Sequence, residues 1–163
     1  MLSQTMQDAI NEQIKNELYS GYMYLAMAAQ LEAENLPGFA TWMRAQAGEE
    51  QEHAMKLYHF VNERGGRVVL HVIDAPPVEY GSPLQVFEAT LKHEELVTSM
   101  INTLYELALG ENDYASQIFL QWYISEQVEE ESNATEIVER LKMIDGKVQG
   151  LLMLDSLLGR RGS

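Results

Sequence analysis

Apolar residues recur at alternating three- and four-residue steps along four long stretches of the chain, the spacing of a helix with one buried face. The first stripe runs through Ile10, Ile14, Gly21, Tyr24 and Ala28, and the second through Phe39, Met43, Ala47, Ala54, Leu57 and Val61. The third follows Leu84, Phe87, Leu91, Thr98, Ile101 and Tyr105, and the fourth Leu120, Tyr123, Ala134, Ile137 and Leu141. Between Pro37-Gly38, Gly65-Gly66, Gly81-Ser82-Pro83, Gly110 to Asp113 and Gly146 the chain is rich in Ala, Leu, Met, Glu and Gln, all good helix formers. The pattern predicts helices over about 3–35, 38–64, 83–109 and 113–144, and a short fifth helix over about 147–158. Ser82 before Pro83 is a strong helix start, and Asn112 or Asp113 is placed to cap the fourth helix.

The connections set the topology. The first and second helices, and the third and fourth, are joined by a few residues each, so each pair is expected to be antiparallel. The link from Gly65 to Ser82 is long. A helix of this length spans roughly 40 Å, and crossing from one end of the bundle to the other takes at least a dozen extended residues. Residues 67–73 look strand-like but have no partner strand, so they are expected to form part of an extended crossover. The expected fold is all-α: a four-helix bundle with one long crossover and a short C-terminal fifth helix. Residues 1–163 are expected to form one domain, with the bundle over 1–145, the fifth helix over 146–159 and a frayed tail over 160–163. The Gly162-Ser163 end has the look of an expression remnant.

Composition narrows the function. The net charge is −14, which disfavours nucleic acid and anionic membranes and suits a handler of cations. The chain has no cysteine, which removes disulfides, thiolate-bound clusters and thiol catalysis. No basic segment followed by an apolar one opens the chain, and no apolar run reaches membrane-spanning length, so a cytoplasmic location is expected.

Each stripe also carries an acid where a buried charge is expensive: Glu17, Glu50, Glu94 and Glu130, all near mid-helix. One such residue is ordinarily a side chain that reaches back to solvent. Four at matching levels place converging carboxylates inside the bundle. No Lys or Arg lies on these stripes, so the remedies are protonation or a bound cation. His53 follows Glu50 by three residues, on the same side of the helix, and Glu-x-x-His is the ligand spacing of di-iron carboxylate bundles. Carboxylates with one imidazole suit iron or manganese better than structural zinc. Tyr24 reads either as a core aromatic bonded to a carboxylate or as a partner and one-electron donor to a metal–oxygen species. Gln127 is a weak oxygen ligand or a donor to a ligand. Glu49, Glu126 and Glu129 flank the set, either as solvated surface or as a looser cation position.

These residues resemble the non-haem bacterial and archaeal ferritins along essentially the whole chain. The resemblance is carried by Glu17-Leu18-Tyr19-Ser20 with Tyr24, by Trp42-Met43-Arg44 and Glu49-Glu50-Gln51-Glu52-His53-Ala54, and by Glu63-Arg64-Gly65-Gly66. Phe119-Leu120-Gln121-Trp122-Tyr123, running into Glu126-Gln127-Val128-Glu129-Glu130-Glu131, completes it. It implies a first iron on Glu17, Glu50 and His53, a second on Glu50, Glu94 and Glu130, and a third, weaker site on Glu49, Glu126, Glu129 and Glu130. Gln127 matches an additional position lining the centre, and Tyr24 the family's nearby tyrosine. Rubrerythrins and haem bacterioferritins carry a second Glu-x-x-His where this chain has Gln127-x-x-Glu130, so the second iron is expected to be held more loosely. Gln51 stands where bacterioferritins carry their haem-binding Met, so no haem is expected.

The resemblance further implies Fe(II) oxidation by dioxygen or peroxide, storage of ferric mineral in a shell of 24 subunits, and a reductase for iron release. The fifth helix, almost continuously apolar from Val148 to Leu158, either folds back on its own bundle or lines an axis of the shell. Two rivals stand beside this reading: a di-iron oxidase or peroxidase that stores nothing, and a non-catalytic acidic assembly that binds cations. A DNA-binding mini-ferritin is disfavoured, because those place iron between subunits and this chain carries a complete set within one.

Overall fold

The computed structural model describes residues 1–162. Five helices follow one another: α1 (Gln4–Ala33), α2 (Pro37–Glu63), α3 (Pro83–Gly110), α4 (Tyr114–Ile144) and α5 (Val148–Leu158). Every boundary lies within two residues of the sequence expectation, because the stops and starts are encoded locally. The Ser3 hydroxyl accepts from the Met6 amide and opens α1. Ser82 and Gln85 form a reciprocal capping box at the start of α3. Asp113 accepts from the Ser116 amide and opens α4. Asn35 and Asn112 close α1 and α3 in the left-handed region, at φ 61° and 54°, which Asn tolerates better than most residues.

α2 is the exception, since Leu36 offers no side-chain cap. Its cap comes from the far end of the chain: the buried Asp155 of α5 accepts from the Phe39 amide at 2.9 Å through Oδ1. Gly38 makes this approach feasible. A Cβ there would stand 1.7 Å from the Asp155 carbonyl oxygen. α5 therefore folds back on its own bundle, against α2 and α4, and still leaves Val148, Leu152, Met153 and Leu157 exposed.

α1 pairs with α2 and α3 with α4, and α1 also packs on α3. The crossover between α2 and α3 is extended, and no strand forms among the described residues. Side-chain amides of α1 take the place of a partner strand. Gln7 accepts from the Arg67 amide, Asn11 bonds both the Arg67 carbonyl and the Val69 amide, and Gln30 bonds the Tyr80 amide and the Gly81 carbonyl. From Gln7 to Gln30 is roughly 35 Å of helix, so the crossover runs along most of α1.

Two apolar cores occupy the two ends of the bundle. One gathers Tyr24, Met27, Phe39, Met43, Phe87 and Leu141. The other gathers Met6, Ile10, Leu57, Ile101, Leu120 and Tyr123. The expected stripe on α3 is rotated in the structure. Leu84, Leu91, Thr98 and Tyr105 are half-buried, while Val86, Thr90, Val97, Leu104 and Ala108 point inward. α3 packs on both α1 and α4, and a strict 3.5-residue repeat drifts off the face of a 3.6-residue helix. The expected frayed tail is also corrected over its described part. Arg161 is bound to α2, and Ser163 lies outside the described residues.

Replacing Asp155 with Ala removes the cap of α2 and is expected to destabilise the chain by about 1–2 kcal/mol in urea unfolding. Gly38→Ala is expected to displace α5 and cost more, because backbone and not a flexible side chain must move.

Candidate metal centre

Between the two cores lies a polar layer. Each long helix contributes one acid near its middle: Glu17 from α1, Glu50 from α2, Glu94 from α3 and Glu130 from α4. All four are buried, Glu17, Glu50 and Glu94 at 1 % exposure. His53, one turn after Glu50, is buried with them. Its Nδ1 lies 3.3 Å from Glu50 Oε2 and 4.0 Å from Glu17 Oε2, and its Nε2 lies 3.9 Å from Glu126 Oε1.

Three overlapping groups bring ligand atoms within 4.8 Å of one another: Glu17, Glu50 and His53; Glu50, Glu94 and Glu130; His53, Glu126 and Glu130. Glu50 belongs to the first two, His53 to the first and third, and Glu130 to the second and third. Glu49 and Glu129 join none of these groups among the described residues. They line a neighbouring pocket of about 360 Å³ together with Glu126 and Glu130.

Neutral donors hold the acids. Gln13 donates to Glu17 at 3.1 Å, and Gln46 donates to Glu130 at 2.6 Å and to Glu50 at 3.3 Å. Gln127 donates to Glu94 Oε2 at 3.1 Å, so it acts here as a donor to a ligand. The Tyr24 hydroxyl donates to Glu94 Oε1. Tyr123 donates to the His53 carbonyl at 2.6 Å, and the His53 ring stands edge-on to both Trp122 and Tyr123. Gln13 and Gln46 escaped the sequence reading. Their signal was a repeated Gln-x-x-x-Glu, Gln13 to Glu17 and Gln46 to Glu50, with the amide one turn before the acid on the same face.

These donors do not discharge the layer. Burial, and then the neighbouring Glu50, push Glu17 well above the usual carboxylate range. Burial and the Glu94 charge raise Glu50 in the same way. Glu94 is raised by burial in spite of its bonds from Tyr24 and Gln127. Glu130 is pushed up to about 7 by burial and the Glu94 charge. Burial, with Glu94 beside it, raises Tyr24 well above an ordinary phenol. Glu17 Oε2 is buried with no hydrogen-bond partner at all. An orphaned acceptor facing an imidazole and a second carboxylate fits a cation, and an oxygen-rich set with one nitrogen fits a hard divalent ion.

Residues 7–144 match the ferritin-like domain family. The chain belongs to the ferritin family. The bacterial non-heme ferritin of Bacteroides fragilis (strain 638R) is 40 % identical over 161 residues, covering 99 % of this chain and all of the relative. The bacterial non-heme ferritin of Campylobacter jejuni is 39 % identical over 158 residues, covering 97 % of this chain and 95 % of the relative. Among solved structures, an open pore ferritin from the archaeon Archaeoglobus fulgidus superposes with a TM-score of 0.98 at 48 % identity, covering 99 % of both chains. In this ferritin no helix among the described residues is long and apolar enough to cross a membrane.

The raised acids set a pH dependence. The folded chain holds protons that the unfolded chain releases near pH ~4.5, so the metal-free protein loses stability as pH rises through the folded values. Glu130 alone contributes on the order of 3 kcal/mol between about pH 5 and its folded value of about 7. Urea unfolding of metal-free protein is expected to show a lower midpoint at pH 7.5 than at pH 5.5. Saturating Mn(II) is expected to reverse that order, because the cation replaces the protons.

Proposed function

We propose that this chain takes up Fe(II), oxidises it within its own bundle and stores the ferric product inside a homo-oligomeric shell. One observation above all supports the reading: two carboxylate-rich groups sharing Glu50 lie buried at the centre of a single chain. The ferritin relatives point the same way.

Iron is the substrate. Glu17, Glu50 and His53 take the first Fe(II), and Glu50, Glu94 and Glu130 take the second. Binding displaces the protons that burial keeps on these acids. Each Fe(II) gives up one electron, and the pair reduces dioxygen or peroxide by two electrons, with protons returned to the reduced oxygen. The carboxylates stabilise the rise in charge from Fe(II) to Fe(III). Gln127 and Tyr24 orient Glu94, and Tyr24 offers a phenol for one-electron donation. The second position has no imidazole and holds its ion less tightly. Fe(III) leaves it through a third, looser position formed by Glu49, Glu126, Glu129 and Glu130, towards the acidic interior of the shell. Twenty-four cytoplasmic copies build that shell, with the exposed apolar face of α5 as one contact. A reductase returns Fe(III) to Fe(II) for release, and neither haem, nucleic acid nor membrane takes part.

Aerobic loading of metal-free protein with Fe(II), followed by gel filtration, is expected to put iron far above site stoichiometry on a very large particle. About two irons per chain with no further uptake identifies a di-iron oxidase that stores nothing, and no retained iron means structural carboxylates. Glu50→Ala removes the shared ligand, so the fast oxidation phase in stopped-flow absorbance is expected to fall by more than the roughly 10–100-fold that outer-shell changes cost. His53→Ala is expected to weaken the first binding step in anaerobic Fe(II) titration and spare the second. Equal weakening of both steps overturns the assignment.

A further inference from the structure

Past the end of α5 the backbone turns back, with Arg160 and Arg161 amides bonded to the Leu157 and Leu158 carbonyls. This turn lays Arg161 against the middle of α2. Its guanidinium donates to the Trp42 carbonyl at 3.2 Å and to Gln46 Oε1 at 2.9 Å, and pairs with Glu49 Oε2 at 2.9 Å. The same group stacks over the Trp42 ring, 4.3 Å from its centroid. It lines the acidic pocket that adjoins the candidate metal centre, on the side of Trp42 and Glu49. Arg140, at the same pocket, is engaged by Glu136 on its own helix at 2.6 Å.

Gln46 makes this contact consequential. A guanidinium only donates, so the Gln46 oxygen must face Arg161 and its NH₂ must face inward. Inward lie Glu130 and Glu50. Arg161 thus fixes which end of a buried amide meets two of the acids, while it holds Glu49 in an ion pair at the pocket.

We propose that Arg161 is a positioning residue and built-in counter-cation of the centre: it locks the Gln46 amide onto Glu130 and Glu50, and a cation entering the adjoining acidic pocket displaces it. The inference rests on the cation-binding reading of the bundle given above. It identifies the C-terminal turn as the element that sets the affinity of the weakest cation position. The stronger position at Glu17, Glu50 and His53 meets Arg161 only at second hand, through the longer Gln46 contact to Glu50 at 3.3 Å, so the smaller effect falls there.

The test is a Zn(II) titration of the whole metal-free protein by calorimetry and by Trp42 emission, with Trp122→Phe in the background so that Trp42 is the only indole. The weakest binding step is expected to tighten about two- to fivefold in Arg161→Ala, the range for a half-exposed ion pair, while the first step shifts less. Arg161→Lys keeps the charge without the planar fork and is expected to fall between the two. Trp42 emission is expected to change at the weakest step in the parent and to stay flat there in Arg161→Ala. An unchanged weakest step in Arg161→Ala, a Lys variant indistinguishable from Ala, or a Trp42 signal indifferent to that step overturns the proposal and leaves the centre's assignment intact. A parent chain that takes up no Zn(II), Mn(II) or Fe(II) overturns the cation-binding reading and this inference with it.

Discussion

Everything in this bundle answers to four carboxylates sealed at mid-helix. Each buried, uncompensated charge costs several kcal/mol. A buried Leu or Phe contributes about 1.5–3 kcal/mol. The chain meets the cost by flanking the polar layer with an apolar core on each side. Neither core can shift along the bundle without dragging an acid into it. The acids cannot swing out, because each sits on the inward face of a long helix capped at its start. The four acids are therefore held in a converged arrangement by the packing on either side of them.

The choice of donors follows from the same constraint. A lysine or arginine in the layer would neutralise the acids permanently and compete with any incoming ion. Gln13, Gln46, Gln127 and Tyr24 supply hydrogen bonds to the carboxylates and no charge. They orient the carboxylates and leave the charge deficit standing. The residual deficit is visible in the orphaned oxygen of Glu17 and in the raised acids. Among the described residues, no lysine or arginine pairs with the four acids, and the arginine nearest them meets Glu49 at the rim.

The parts of this arrangement that were legible in the sequence are those encoded within a few residues. Ser3, Ser82 and Asp113 announce helix starts by their own chemistry, and the helix edges followed. Glu17, Glu50, Glu94 and Glu130 stood out because an acid on an apolar stripe is an anomaly that periodicity exposes. The α3 stripe rotated because its 3.5-residue repeat drifts off a 3.6-residue helix and its neighbours on two sides decide which flank is covered. Gln13 and Gln46 raise no such alarm, since glutamine is a routine helix former; only their repeated spacing before a buried acid marks them. The Asp155 cap and the Arg161 anchor join residues more than a hundred positions apart, and no local pattern encodes such a contact.

That last pair gives the fifth helix and the turn after it a role that the helix's apolar face conceals. Asp155 fixes the first turn of α2 and Arg161 grips the same helix at Trp42 and Gln46. Gly38 lets the two backbones close to a distance that a side chain would forbid. The segment of α2 between those grips leads directly into Glu49, Glu50 and His53. A displacement of α5 therefore bears on the start of α2 through Asp155 and, through the turn that follows the helix, on the Gln46 amide and the ion pair at Glu49. Val148, Leu152, Met153 and Leu157 meanwhile leave the outer side of α5 free to meet another surface. The same eleven-residue helix thus presents an apolar outer side and caps the helix that carries Glu49, Glu50 and His53. A C-terminal segment that served only to cover apolar surface would need neither a buried aspartate nor an arginine paired with Glu49.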